Sequence, residues 1–355
     1  MNAKNQLKLL YEQKQLPIFQ NRMYDTESEA KACPKGDIRL VEDQSSGLVY
    51  NTAFRPELMV YDASYQNEQA LSPSFQKHLE LVSRIIDRCM GRKSIVEVGC
   101  GKGFFLEMLS AKGFDIAGFD PTYEGKNPRV MKHYFAPEVG IRAKGLILRH
   151  VLEHIQNPFE FLSQLKEANG GSGRIYIEVP RFDWICEHRA WFDIFYEHAN
   201  YFRISDFYRM FGTVVESGSF FGDQYLFIVA ELATLKEPKR NVKDCVIFPQ
   251  DFTDKIVRRA RLGLGPAAIW GAASKGVIFA LLKGRAGERI TTVIDINPAK
   301  QGKYLPATGL LVRSPSEVLA TLPKRSTIYI MNSNYAEEIK KMSDNAFKYV
   351  QVDHD

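Results

Sequence analysis

Residues Ile95-Val96-Glu97-Val98-Gly99-Cys100-Gly101-Lys102-Gly103 decide the fold. Ile95, Val96 and Val98 are β-branched and apolar, as suits a parallel strand covered on both faces. The run stops at Gly99, and glycines recur at 101 and 103. Phe104, Phe105, Leu106, Met108 and Leu109 then open an apolar, helix-like stretch. A strand, a glycine turn and a helix make the mould in which α/β proteins hold a nucleotide-like ligand. The glycine backbone takes positive φ and approaches a ligand with no Cβ in the way. The dinucleotide fingerprint G-x-G-x-x-G does not fit, because the third glycine comes one residue early.

Working outward, an acid stands two residues before the first glycine, Glu97. The next strand-like run, Phe114-Asp115-Ile116-Ala117-Gly118-Phe119-Asp120, ends on a second acid. Taken singly, a glycine loop is also a tight turn and an aspartate after a strand is also a helix cap. Taken together, Glu97, the loop Gly99, Cys100, Gly101 and Gly103, and Asp120 resemble motif I of the class I S-adenosylmethionine (SAM) methyltransferases. That resemblance implies SAM as cofactor. Glu97 would serve the ammonium of its methionine part, directly or through water, and Asp120 its ribose hydroxyls.

The flanking sequence continues the pattern. Ser72-Pro73 starts a helix with a cap and a first-turn proline, and Phe75, Leu79, Leu81, Val82, Ile85 and Ile86 give it an apolar face. Gly145 to Leu148 reads as a strand that ends on Arg149-His150 and brings His150 to the cofactor edge. Arg174 to Pro180 is the next strand, and Val214–Gly218 and Tyr225–Ala230 close the sheet. The order β-α-β-α-β predicts a doubly wound sheet with its ligand beyond the C-terminal ends of the strands. Tyr134 and Phe135 are possible walls for an adenine ring. Residues 181 to 212 are dense in aromatics, which reads as a core layer, but they also carry Glu197-His198.

Lys236 to Lys243, charged and containing Pro238, reads as a linker into a last α/β unit. There Ala267–Trp270, Val293–Asp295 and Ile328–Met331 are strands, and Gly271-Ala-Ala-Ser-Lys-Gly276 turns into a helix. Its helix start, with Lys275, suits either a phosphate or a plain structural turn. Residues 1 to about 70 are irregular apart from short extended pieces at Ile38–Val41 and Gly47–Asn51. The expected organisation is a small N-terminal domain over 1–71, a SAM-binding doubly wound domain over 72–235 and a Rossmann-like α/β domain over 236–355.

Bulk properties narrow the classes. The chain has 355 residues, 45% of them apolar, and a net charge of +5 with no basic block. Nucleic acid is therefore not implied as a partner. Five scattered cysteines without a Cys-x-x-Cys pair signal neither a zinc knuckle nor a disulfide framework. No apolar stretch follows the first residues and none is long enough to span a bilayer, so no signal peptide, no membrane span and a cytoplasmic location are expected. Nothing in the sequence sets an oligomeric state.

Three stretches resemble the C-methyltransferases of deoxysugar biosynthesis, which methylate nucleotide-linked keto-sugars. They are motif I with Asp120; Arg149-His-Val-Leu-Glu-His154 with Glu178-Val-Pro180, Tyr196-Glu-His198 and Tyr201-Phe202; and Trp270 to Gly276 with Asp295-Ile-Asn-Pro-Ala-Lys-Gln-Gly-Lys-Tyr-Leu-Pro306. The resemblance implies an enzyme of sugar, polysaccharide or secondary-metabolite biosynthesis. It also implies a C-terminal domain that helps frame a sugar nucleotide. The family's N-terminal zinc cysteines are missing, with only Cys33 in that region, so no metal is expected. Phe195 stands where the family has a tyrosine.

Methylation at carbon needs a proton removed next to a carbonyl, work suited to a histidine of near-neutral pKa. By resemblance His198 is the base, with Glu197 either orienting it or contacting the substrate, and with His154 as a second candidate that also reads as a helix-start residue. Tyr65, Glu178, Tyr196, Tyr201 and Lys275 are the expected contacts to a small-molecule acceptor. O- or N-methylation would use the same residues. An NAD-dependent nucleotide-sugar enzyme is disfavoured by the incomplete second fingerprint, and a non-catalytic SAM-binding partner by the intact first one.

Overall fold

The structure, a computed structural model, describes residues 7–61, 64–257, 266–288 and 290–354. Its first strand, β1 (Leu7–Pro17), pairs antiparallel with β2 (Lys35–Asp43), and β2 with β3 (Val49–Asn51). This corrects the irregular reading of the N-terminal stretch. Two register shifts, between Leu9 and Tyr11 and between Gln13 and Leu16, break the period-2 alternation by which a strand is recognised. Gln15, inside the second shift, has φ 57°.

The central sheet begins with β4 (Ile95–Val98), β5 (Ile116–Phe119), β6 (Val130–Met131), β7 (Gly145–Arg149) and β8 (Arg174–Pro180), all parallel. A two-residue strand, β9 (Asn200–Tyr201), leaves this sheet and pairs with β3. The hairpin β10 (Val214–Phe220) and β11 (Tyr225–Glu231) then returns, with β11 antiparallel to β8. The order β10-β11-β8-β7-β4-β5-β6 is the doubly wound class I methyltransferase arrangement, and its direction of winding reverses between β4 and β7.

Helix Pro73–Met90 begins where Ser72 Oγ accepts from the amides of Ser74 and Phe75. It buries Phe75, Leu79, Val82, Ile85, Ile86 and Cys89 against one face of the sheet. Leu81 instead points to solvent, since two residues along a helix turn a side chain away from the face of Leu79. Helix Pro158–Ala168 covers the other face through Leu162, Leu165 and Ala168. Between 182 and 211, Phe182, Trp184, Trp191, Phe192, Tyr196, Tyr201, Phe202, Phe207 and Phe211 are all buried. Most of this layer forms short helical turns and loops, so its cohesion comes from ring packing.

The C-terminal sheet is wholly parallel: β12 (Ala267–Trp270), β13 (Ile290–Ile294), β14 (Val312–Arg313), β15 (Thr327–Ile330) and β16 (Lys348–Gln351). Its order, β14-β13-β12-β15-β16, reverses between β12 and β15. His150 follows β7 of the central sheet, and Gly271 and Asn332 follow β12 and β15. All three line one cavity of about 250 Å³, together with Asn21 and Tyr65 from the N-terminal region. The reversal points of both sheets thus open on a common space, the place where doubly wound sheets bind ligands.

Candidate active site

The glycine loop follows directly from the end of β4. Gly99 (φ 71°) accepts its strand-end geometry by donating to the Phe119 carbonyl, and a Cβ there would lie 2.5 Å from Val151 Cγ2. Gly101 (φ 55°) donates its amide to Asp120 Oδ2 at 2.7 Å, and a Cβ there would meet open space. Asp120 also accepts at Oδ1 from the amide and hydroxyl of Thr122, at 2.8 and 2.7 Å. It therefore braces the loop and its own turn together. Cys100 is buried beneath the loop, its thiol pushed up in pKa by burial. Phe135 packs edge-on against Phe119 in the core and has no free face for an adenine ring, while Tyr134 is exposed.

Glu97 sits 3% exposed beside this loop, and its Oε2 has no hydrogen-bond partner. Burial raises its pKa to about 8; Arg149 opposes that and Asp120 adds to it. A buried carboxyl with an unmatched oxygen next to a second carboxylate calls for a cation. The ammonium or sulfonium of SAM supplies one, so Glu97, Gly101 and Asp120 fit the cofactor.

Behind the loop lies a cluster centred on Glu178. This fully buried carboxylate accepts from Tyr176 Oη at 2.6 Å and from Arg149 at 3.2 Å, with His78 and His150 each 3.0 Å away. Burial alone would raise its pKa, but Arg149, His78 and His150 hold it well below the ordinary value. His150, in a left-handed backbone conformation (φ 51°), lies 3.4 Å from Glu153 as well. Burial works against its charge, yet the two carboxylates push its pKa up to about 9. His150 lines the cavity and Glu178 does not, so Glu178 is corrected from an acceptor contact to the anchor of His150 and Arg149.

The cavity's other wall carries Glu197 and His198. Glu197 is fully buried and accepts from the Gln20 amide at 2.6 Å and from Tyr65 Oη at 2.5 Å. Burial raises its pKa, with His154 and Tyr65 opposing. His154 Nδ1 lies 2.9 Å from the Glu197 carbonyl oxygen, which can only accept, so Nδ1 carries a proton. The His154 and His198 rings meet edge to face at 5.0 Å. His198 Nδ1 is buried without a partner. Burial, then the neighbouring His154 and His150, hold its pKa well below 6.5. Glu153, His154 and His198 also bring three potential metal ligands within 4.8 Å of one another.

Of the expected acceptor contacts, Tyr65 and Lys275 line the cavity. Lys275, however, is matched by Asp193 at 3.1 Å and Gln224 at 2.7 Å and lies over the Trp184 ring. Tyr196 and Tyr201 do not reach the cavity. The Tyr196 ring fills the space beside Gly36 and its hydroxyl accepts from the Arg55 amide, while the Tyr201 hydroxyl is held by the Phe195 backbone. Both are corrected to packing residues, since full burial leaves no face for a ligand. Sequence reasoning passed over Lys300 and Asn21, which line the same cavity. Lys300 lies within the quoted Asp295–Pro306 run, but a lysine in a loop carries no mark of burial.

Residues 68–214 match the family model described as a methyltransferase domain. The chain carries a methyltransferase domain. Residues 236–349 match a second model, the C-methyltransferase C-terminal domain. The methyltransferase is 21% identical over 322 residues to the C-methyltransferase NovU of Streptomyces niveus, covering 77% of this chain and 76% of that protein. Among solved structures it resembles a SAM-dependent methyltransferase from Archaeoglobus fulgidus (20% identity, 45% of this chain and 100% of that one, TM-score 0.35). It also resembles the magnesium protoporphyrin IX methyltransferase of Synechocystis PCC 6803 with bound SAH (16% identity, 44% and 83%, TM-score 0.34). The cofactor of the methyltransferase is SAM. No helix among the described residues is long and apolar enough to cross a membrane.

Proposed function

We propose that the chain is a C-methyltransferase acting on a nucleotide-linked keto-sugar in sugar, polysaccharide or secondary-metabolite biosynthesis, with His198 as the base that enolises the acceptor. The observation that carries this reading is the state of His198. Its Nδ1 is buried without a partner, burial and the neighbouring histidines hold its pKa well below the ordinary value, and it stands in the wall of the cavity beside His154, Glu197 and Tyr65. A carbon acceptor needs a proton taken from the position next to a carbonyl, work open to an unprotonated imidazole at that place. The C-terminal match and the NovU likeness support the same direction.

In this reading each part of the chain has a task, over the divisions 1–71, 72–235 and 236–355. Glu97, the glycine loop and Asp120 hold SAM, which when bound supplies a methyl group already activated on a sulfonium. His198 takes the proton from the acceptor carbon, so that the C–H electron pair becomes the nucleophile. Tyr65 and Glu197 fix the acceptor side of the site, and His154, held by the Glu197 carbonyl, orients the His198 ring. The test is mass spectrometry of products from isotope-labelled SAM with a panel of nucleotide keto-sugars, with the methyl group located in each product. A label found on oxygen or nitrogen, with none on carbon, overturns the reading.

A further inference from the structure

Glu153 and His154 sit on the turn Leu152–His154 that follows β7, and His198 sits in the loop that leads to β9. All three line the cavity, and each brings one donor atom to within 4.8 Å of the others. The two imidazole rings stand 5.0 Å apart at 80°. Two imidazoles on one tetrahedral ion, with bonds of about 2.0–2.1 Å, have ring centres about 5 Å apart. The rings are therefore already spaced for a shared metal.

The hydrogen bonding around these side chains points the same way. Glu153 is 1% exposed and its Oε2 has no hydrogen-bond partner; His198 is 6% exposed and its Nδ1 has none either. Buried polar atoms are costly unless something completes them. His154 is held instead, with Nδ1 donating to the Glu197 carbonyl at 2.9 Å. A metal-ligating histidine characteristically gives its other ring N–H to a carbonyl or carboxylate, which fixes the ring. That carbonyl belongs to the residue before His198, so one peptide unit ties two of the three donors together. Two imidazoles and a carboxylate suit zinc better than magnesium or calcium, and they leave a fourth position open to the cavity.

We propose that Glu153, His154 and His198 form a zinc-binding site, and that zinc bound there switches the enzyme off. The shut-off rests on the reading of His198 as the base; the site does not. Zinc takes the imidazole electron pair that would otherwise receive the acceptor's proton, so ligation and proton abstraction exclude each other. His150 Nδ1 lies 3.4 Å from Glu153 Oε1 and competes for that carboxylate. The metal is thus a reversible occupant, and the working enzyme carries none.

The test is titration of the full chain, first stripped with a chelator, with Co²⁺ and Zn²⁺. One equivalent of Co²⁺ should give visible d–d bands without the thiolate charge-transfer band that any of the five cysteines would add. Zn²⁺ should displace it and Mg²⁺ should not. Glu153→Gln, which keeps size and shape, and His198→Ala should each weaken zinc by about a hundredfold or more, since loss of even an outer partner costs about 10- to 100-fold. Melting curves and SAM affinity report that each variant is folded. With the keto-sugar that the wild type methylates at carbon, saturating zinc should lower turnover about 10²- to 10⁴-fold, as loss of the base would, and a chelator should restore it. The absence of a cobalt spectrum, a thiolate band, or undiminished zinc binding by both folded variants overturns the site. Full turnover with zinc bound, or turnover that requires zinc, overturns the switch. Zinc held by these residues in an enzyme that labels only oxygen upholds the site while C-methylation falls; C-methylation by an enzyme that binds no zinc does the reverse.

Discussion

Tyr65 donates its phenolic hydrogen to Glu197 Oε2 at 2.5 Å, joining positions 132 residues apart. The bond ties the N-terminal region to the wall that holds the proposed base. It is also among the interactions that lower the pKa of a carboxyl otherwise raised by burial. Tyr65→Phe removes it, so the Glu197 pKa should climb further and the acid limb of the kcat profile should move to higher pH. A fall in kcat of about tenfold to a hundredfold, the worth of one charge-assisted hydrogen bond, should accompany the shift. SAM affinity, measured in parallel, should not change.

His198→Ala should leave SAM binding intact and reduce kcat by about 10²- to 10⁴-fold, the usual contribution of a positioned base. The wild-type pH profile carries a sign. Burial and the nearby histidines hold His198 below its ordinary value, so it stays an unprotonated base at pH 6.5 and loses activity only at lower pH. Its contribution to stability has the same direction. It is present above the ordinary histidine pKa and is lost as pH falls, because the unfolded chain takes up the proton first. A turnover profile whose acid limb lies at or above pH 6.5 would contradict the assignment.

Glu97, with a pKa near 8 before ligand is bound, is mostly protonated at pH 7. A cationic ligand favours its charged form, so SAM binding should expel about one proton at neutral pH. Titration calorimetry in two buffers of different ionisation enthalpy measures that number. SAM affinity should rise with pH up to about 8, and Glu97→Gln should lose both the proton release and the pH dependence.

Two glycines near the loop should respond differently to alanine. At Gly101 the new Cβ meets open space but the left-handed φ costs about 1–2 kcal/mol. Gly101→Ala should therefore fold, with a slightly lower Tm, and bind SAM poorly. At Gly118 the Cβ would lie 2.6 Å from Leu106 and 2.9 Å from Cys100. Overpacking of that kind costs about 1–3 kcal/mol, so Gly118→Ala should lose more stability. Melting curves with and without SAM separate the two.

Glu153, His154 and His198 are close enough to hold a cation, but Glu153 already faces the charged His150. Treatment with a chelator followed by gel filtration should leave kcat unchanged. Lost activity that returns with one divalent metal would instead assign His154 and His198 as ligands.

The central sheet was readable because its signals are local. Ile95 to Gly103 and Phe114 to Asp120 each contain a strand, its end and the group presented there. β1 was not readable, since its bulges destroy the alternation. β9 was not either, because two residues have no period. The site was half visible. Glu197 and His198 stand out as polar residues in an aromatic run, whereas Tyr196 and Tyr201, beside them in sequence, turn inward. Which neighbour faces the cavity depends on turns that composition does not encode. The pairing of Lys275 was hidden for the same reason: Asp193, the residue that satisfies it, lies 82 positions earlier in the chain.

The pairing of β3 with β9 has a consequence for how the chain is made. Val49 lies opposite Tyr201 and Tyr50 opposite Asn200, and the Tyr196 ring seats against Gly36. The N-terminal sheet is therefore left with an open edge until about 150 further residues have emerged from the ribosome. Its closure is a late, long-range event, slow by topology, and an N-terminal fragment ending near residue 70 should expose β3 to pairing with other chains. Because Tyr196 and β9 flank Glu197 and His198, the segment that finishes this sheet also carries the proposed base, so assembly of the first layer and assembly of the reactive wall are one step.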